Sequence, residues 1–177
     1  MSLRELTKEK HTSAEHTKFM KTLFKGNITK DMWADFTYQK MLCYNAMELK
    51  AALAGYLDKL PELPRTHQLY LDYRALTDGQ GKHTFRPEAA EYYKYLVALD
   101  NNKILAHMYV WYLGDLSGGQ LIKKIVPGPN NSLTFKNAEE LTIKFRSLLN
   151  DDLAEEANVA FDWAIKLMES YDNELSV

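Results

Sequence analysis

Hydrophobic and polar positions recur at helical spacing along nearly the whole chain. Leu3, Leu6, Ala14 and the pair Phe19–Met20 mark an apolar side on a first segment, which ends before Gly26 and Asn27. Thr29 followed by Asp31 reads as the cap of a long helix from about Lys30 to Leu57, with Phe36, Met41, Cys43, Tyr44, Met47 and Leu53 along its length. Pro61 and Pro64 close that helix and begin a shorter one through Leu76. Asp78 to Gly81 is a loop. Pro87 suits the first position of the next helix, where a missing N–H has no helical partner to lose. A helix from about Asn101 to Ile125, a loop from Pro127 to Asn131, and helices over Lys136–Asn150 and Asp152–Glu174 complete the pattern. There is no alternating strand pattern bounded by hairpin turns and no internal repeat. The pattern predicts an all-α fold: a single multi-helix bundle domain over residues 1–177.

A chain of 177 residues can bury a real core in one domain. Its 22 basic residues are nearly cancelled by 24 acidic ones, so any basic patch is local and a nucleic-acid partner is not expected. Cys43 is the only cysteine, which excludes an internal disulfide framework and suits a reducing compartment. The most apolar run, Ile104 to Leu113, is about half the roughly twenty residues a spanning helix needs, and it contains His107. The opening residues lack the apolar stretch of a signal peptide, and the chain stops at Val177 after a helical pattern. A soluble cytoplasmic protein is expected, off the membrane and monomeric.

Two constellations could carry chemistry. Arg4, Lys8, His11 and Glu15 are spaced by four, three and four residues and share one stripe. A neutral imidazole can ligate iron through one ring nitrogen, and a carboxylate one turn away can accept the other N–H, directly or through water. On spacing alone, a solvated charged stripe with an incidental histidine is the simpler account. The second constellation is Leu105 to Gln120, where Gly114, Gly118 and Gly119 interrupt a helical pattern beside Asp115 and Ser117. Each glycine costs a helix interior about 1 kcal/mol relative to alanine. Glycine lets a backbone approach a flat ligand and permits a bend. A loop between two short helices, or a tight helix crossing, accounts for the cluster equally well.

The stretch YLGDLSGGQ, Tyr112 to Gln120, is similar to the distal-helix signature of heme oxygenases. TKEKHTSAE, Thr7 to Glu15, resembles that family's proximal-ligand segment, and FMKTLFKGNITKDMW, Phe19 to Trp33, its continuation. Further matches lie at Phe145 to Asn150 and at Glu155 to Phe161; the likeness is weakest between about Tyr56 and Leu99. The resemblance implies a bundle that sandwiches heme b between proximal and distal helices. It also implies cleavage of heme at a meso carbon, the α carbon, to biliverdin, carbon monoxide and ferrous iron with O2 and external electrons. By the same resemblance His11 matches the axial iron ligand and Glu15 its partner. Gly114 and Gly118 match glycines whose backbone lies over the distal heme face. Asp115 matches the carboxylate that organises distal water, and Tyr44 a tyrosine of that network. Lys8, Tyr109 and Arg146 match groups near the propionates, and Arg4 stands where another cation is common. Two positions depart from the pattern: Trp111 replaces a frequent arginine, and Thr142 stands where vertebrate enzymes carry a propionate-binding lysine.

No flavin or nicotinamide fingerprint is present, so electrons are expected from a separate protein, ferredoxin rather than a flavoprotein reductase. Lys18, Lys21, Lys25, Lys123 and Lys124 could form its docking face or an ordinary solvated surface. A non-catalytic heme carrier or sensor on the same fold is the alternative function. His107 rivals His11 as ligand because it shares the nominal face of Gly114 and Gly118. It lies about 10.5 Å from Gly114 along the helix, however, and is expected to be a partly buried structural residue. His16 points elsewhere, His67 and His83 are expected at the surface, and Cys43 in the core. The residues three before each histidine are Lys8, Ser13, Pro64, Gln80 and Ile104, so no Glu-x-x-His pair for a di-iron site exists. A hydrolase is equally weak, because Cys43 has no neighbouring base in sequence.

Overall fold

A computed structural model describes residues 1–175 and is α-helical, with no strand among the described residues. The helices are α1 (Leu3–Leu6), α2 (Lys8–Glu15), α3 (Lys18–Phe24), α4 (Lys30–Leu53), α5 (Thr66–Leu76), α6 (Pro87–Ala98), α7 (Ile104–Leu116), α8 (Gly119–Ile122), α9 (Ala138–Arg146) and α10 (Ala154–Glu169). Short 3-10 turns precede α7, α9 and α10. None of the described helices is long and apolar enough to cross a membrane.

Helix α4 is the central post. The Thr29 hydroxyl accepts the N–H of Met32 at 3.1 Å and starts it as the sequence predicts. Phe36, Cys43, Tyr44, Met47 and Ala51 are buried along it, and α5, α6 and α7 pack against it. The helix ends at Leu53, four residues before the expected Leu57. Gly55 takes φ +79°, which lets the Tyr56 N–H close onto the Ala51 carbonyl and the Gly55 N–H onto that of Ala52.

Two expected helices are broken. The opening segment is three helices, because threonines at its joints offer the backbone other partners. Thr7 leaves helical geometry and its hydroxyl donates to the Leu3 carbonyl at 2.9 Å, while Thr17 is extended and caps Met20. The helix expected over Asn101–Ile125 breaks at Ser117 (φ −111°, ψ −89°), leaving α7 and the one-turn α8. Helix α9 begins later than expected, after Asn137 in left-handed geometry, and α10 gives way to turns after Glu169.

The main core holds Tyr44, Met47, Met108, Tyr112, Phe145 and Leu167. A smaller cluster of Leu3, Ala106 and Ala157 pins α1 onto α7 and α10. The segment after α8 is held by Asp72, whose carboxylate accepts the N–H groups of Asn131 (2.7 Å) and Ser132 (2.9 Å). These anchors leave α1 and α2 lying across α10 and facing α7, and the space between them is the site.

Candidate active site between helices α2 and α7

An open cavity of about 810 Å³ separates α1 and α2 from α7. Arg4, Lys8 and His11 line one side, Tyr109 and Gly114 the other, with Arg146 and Phe161 completing it. It adjoins a second, smaller cleft of about 210 Å³ that shares His11, Gly114 and Phe161 and reaches Glu15, Lys40, Asp115 and Gly118. Every sequence-predicted site residue except Tyr44 therefore borders one of the two spaces.

His11 sits on a helix with no buried residue. Its side chain is 58% exposed, its ring meets Phe161 edge-on at 5.8 Å, and Nδ1 lies 3.7 Å from a Glu15 oxygen. That distance is beyond a direct hydrogen bond and is reached by a small rotation or through one water. Its other ring nitrogen is free to take a ligand from the cavity. Arg4, Lys8 and Arg146 make no ion pair among the described residues, so three cations face the space with their charge uncommitted. The Tyr109 hydroxyl lies 3.2 Å from Thr7 Oγ1 and ties α7 to the α1–α2 joint. Thr142 turns back to the Ala138 carbonyl at 2.7 Å and offers the cavity no charge.

The three glycines have different surroundings. None has positive φ, so backbone conformation demands none of them. A Cβ at Gly119 would lie 3.2 Å from Leu133 and 3.3 Å from the Gly114 carbonyl, which makes it a packing glycine. A Cβ at Gly118 would meet only that carbonyl, at 3.8 Å. A Cβ at Gly114 would meet nothing within 4 Å. Neither conformation nor protein packing explains Gly114, and the open space over it leaves room for a ligand against the helix backbone.

Behind Gly114 the polar groups are paired with one another. Asp115 is buried, and its Oδ2 accepts the Tyr44 hydroxyl at 2.6 Å. Its Oδ1 accepts the Lys40 ammonium at 3.0 Å. Burial, reinforced by the neighbouring Asp115 carboxylate, pushes the Tyr44 phenol well above its ordinary range, so it stays protonated and donates. Tyr44 therefore bonds to Asp115 and borders neither space. Lys40 was not singled out from sequence. Its signal was a lysine one turn before Tyr44, on the apolar side of α4.

His107 is fully buried rather than partly. Trp111 Nε1 donates to the Tyr92 hydroxyl (3.2 Å), Tyr92 to His107 Nδ1 (2.7 Å), and His107 Nε2 to Glu156 (2.8 Å), which also accepts Tyr95. This chain saturates both ring nitrogens and fixes the tautomer, so the ring has no nitrogen left for a metal. Burial pushes His107 below its ordinary range, with the hydrogen bond to Glu156 opposing. His16 and His67 are exposed, but His83 is not a free surface residue: Tyr73 and Asp31 hold its two nitrogens at 3.0 and 3.1 Å. Lys18 leaves the proposed docking face, since its ammonium donates to the carbonyls of Asp172 and Leu175 at 3.1 Å each.

Heme fits this donor set. There is an imidazole with an uncommitted nitrogen, a bare helix backbone across the space, an apolar ring at Phe161, and three unpaired cations where carboxylates would emerge.

The heme oxygenase family model matches residues 1–146. The chain is 28% identical over 208 residues to heme oxygenase 2 of Oryctolagus cuniculus, covering 96% of this chain and 65% of that protein. It is 33% identical over 136 residues to heme oxygenase 2 of Synechocystis, covering 70% and 54%. The chain thus spans less than two thirds of the length of these curated relatives. Heme oxygenase-1 of the cyanobacterium Synechocystis, solved in complex with heme, superposes with a TM-score of 0.87 at 26% identity over 97% of this chain and 91% of that one. Heme oxygenase from Leptospira interrogans gives 0.84 at 25% identity over 96% and 100%. With most of its length matched by the family model and its helices superposing on solved members, the chain belongs to the heme oxygenase family.

Proposed function

We propose that this chain is a single-domain, cytoplasmic, monomeric heme oxygenase. It binds heme b between α2 and α7 with His11 on the iron, and opens the macrocycle at the α meso carbon to biliverdin, carbon monoxide and ferrous iron. Bound heme supplies the redox-active iron for O2 and is also the molecule that is cleaved. The observation that carries this reading is Gly114: a glycine in a helix with open space over it, bordering the same cavity as a half-exposed histidine.

The protein's part is to bind, orient and deliver protons. Arg4, Lys8 and Arg146, with the Tyr109 hydroxyl, receive the propionates at the open side. Glu15 sets the ring orientation of His11 through its Nδ1 side. With heme bound, backbone at Gly114 and Gly118 would lie close along one side of the ring and so bias which meso edge is open to attack. Asp115 holds water at its carboxylate and passes protons through it, and Tyr44 keeps that carboxylate oriented.

Electrons come from a separate protein, ferredoxin in preference to a flavoprotein reductase. Phe24 and Ile122 border the smaller cleft, with Lys21 and Lys25 flanking one and Lys123 and Lys124 following the other. Exposed Phe24 and Leu121 add apolar area to this basic rim, a composition suited to an acidic partner. Turnover with ferredoxin should slow as salt rises; no salt dependence would remove the docking face.

The test is to add hemin, record the axial-ligand spectrum with and without His11→Ala, then supply ascorbate or ferredoxin and its reductase. Loss of the Soret band with a rising bilin spectrum supports an oxygenase. A persistent Soret band means a heme carrier. An axial spectrum unmoved by His11→Ala rejects the ligand.

A further inference from the structure

Lys40 is the least expected polar residue on α4. Its side is shared with buried Phe36, Cys43, Tyr44 and Met47, and Lys40 is itself only 6% exposed. An ammonium buried without a partner is strongly unfavourable, so its bonds must account for its presence. It makes one, to Asp115 Oδ1 at 3.0 Å, and it lies 5.0 Å over the ring of Tyr44. Tyr44 in turn donates to the other oxygen, Oδ2, at 2.6 Å. Two residues one turn apart on α4 thus grip the two oxygens of one carboxylate on α7. No other cation lies within salt-bridge distance of Asp115 among the described residues, and the Trp111 side chain is turned to Tyr92.

An ammonium has three donors, and each carboxylate oxygen accepts more than one. Lys40 spends a single donor on described protein atoms, while Lys40 and Asp115 both border the smaller cleft. The pair therefore presents unused donors and unused lone pairs side by side, next to His11 and Gly114.

We propose that Lys40 is a positioning residue of this site. Through Oδ1 it fixes the plane of the Asp115 carboxylate, and with its remaining N–H groups it holds cleft water against that carboxylate. The proposal rests on the heme-cleaving reading and deepens it: the proton-delivering water is ordered by a buried ion pair, not by Asp115 alone. Without Lys40, Tyr44 is left as a single tether about which the carboxylate can turn.

Lys40→Met keeps the length and apolar contacts of the stem and removes the charge. In the heme-free protein, Lys40→Met and Asp115→Asn should each lower the melting temperature, and the double variant should fall by less than the sum. In the hemin complex, Lys40→Met should leave hemin affinity within about threefold and the axial spectrum unchanged, while single-turnover bilin formation slows by about tenfold or more. Its solvent deuterium isotope effect should rise as proton delivery becomes limiting, and Lys40→Arg should recover most of the rate. Additive melting shifts would overturn the pair. Full-speed bilin formation by Lys40→Met, or no recovery by a folded Lys40→Arg, would overturn the positioning role while leaving the heme-cleaving reading intact. Wild-type protein that leaves hemin whole would overturn both.

Discussion

Replacing Gly114 by alanine separates stability from ligand binding at one atom. In the heme-free protein the new methyl meets nothing within 4 Å, and the residue already has helical geometry in α7. Two effects then remain. Alanine loses less backbone entropy on folding and is favoured in a helix by about 1 kcal/mol over glycine. Residue 114 lies in the last turn of α7, so the gain is at most that. For a chain of this size each kcal/mol moves the melting temperature by roughly 2–4 °C. The heme-free variant should therefore melt higher by up to about 4 °C. The same methyl projects into the space assigned to the porphyrin, so hemin should bind about tenfold or more weakly, and the bilin isomer ratio should broaden. Gly119→Ala is the control: its methyl meets Leu133 at 3.2 Å and the Gly114 carbonyl, which is backbone, at 3.3 Å. Overpacking of that kind costs about 1–3 kcal/mol. Thermal melts by circular dichroism, with hemin titrations on the same samples, read both. If Gly114→Ala melts lower than wild type without hemin, or binds hemin normally, Gly114 is not kept for a ligand.

His11→Ala should abolish the axial-ligand spectrum yet leave heme-free stability within about 0.5 kcal/mol, because the side chain is 58% exposed; a denaturant titration checks the second half. Asp115→Ala should still bind hemin but form little biliverdin, and it should lose stability on the order of 3–5 kcal/mol because it strands the buried Lys40 ammonium. Burial holds His107 below its ordinary 6.5, so below that pH the unfolded chain binds more protons than the folded one. Stability is therefore complete above pH 6.5 and falls as pH drops through the window beneath it. Glu156, held below 4.5 by the His107 hydrogen bond, adds a further loss only at lower pH. Urea midpoints at pH 7.5 and 5.5 should show this decline, and His107→Gln should flatten it.

The all-helical fold was legible because apolar spacing is set by which side of each helix is buried, and that survives small breaks. The breaks themselves were not legible. Thr7, Thr17 and Ser117 interrupt helices whose apolar positions continue across the joint, and only their local hydrogen bonds show the interruption. Gly114, Asp115 and His11 were legible as a resemblance, but their reasons were not. The three glycines read alike in sequence, and only the atoms around each Cβ separate packing at Gly119 from open space at Gly114. Lys40 was hidden because its partner stands 75 residues away on another helix. Periodicity marks a lysine on an apolar face as an anomaly and says nothing about what satisfies it.

The two walls of the cavity are built differently, and the difference is measurable. On the α7 side, Asp115, Tyr44, Tyr112 and His107 are buried and bonded into the core. On the α2 side no residue of the helix is buried, and threonines break the chain at both ends. Beyond the half-buried Ala14 packed on the core, α2 is held by the solvent-screened Lys10–Asp162 pair at 2.6 Å, 42% and 55% exposed. Nearby, Asn158 donates to the Leu6 carbonyl at 3.3 Å, and Thr7 meets Tyr109 at 3.2 Å. On the proposed reading, proton delivery needs fixed geometry and falls to the rigid wall, whereas the proposed iron ligand rides on the more exposed one, where a flat cofactor can be admitted. Amide hydrogens of Lys10 to Glu15 should therefore exchange much faster than those of Met108 to Tyr112 in the heme-free protein. Adding hemin should slow the first set by at least about tenfold and leave the second nearly unchanged. Equal protection of both helices before hemin is added would mean that the proximal wall is already set, and that admission of the porphyrin needs no movement of α2.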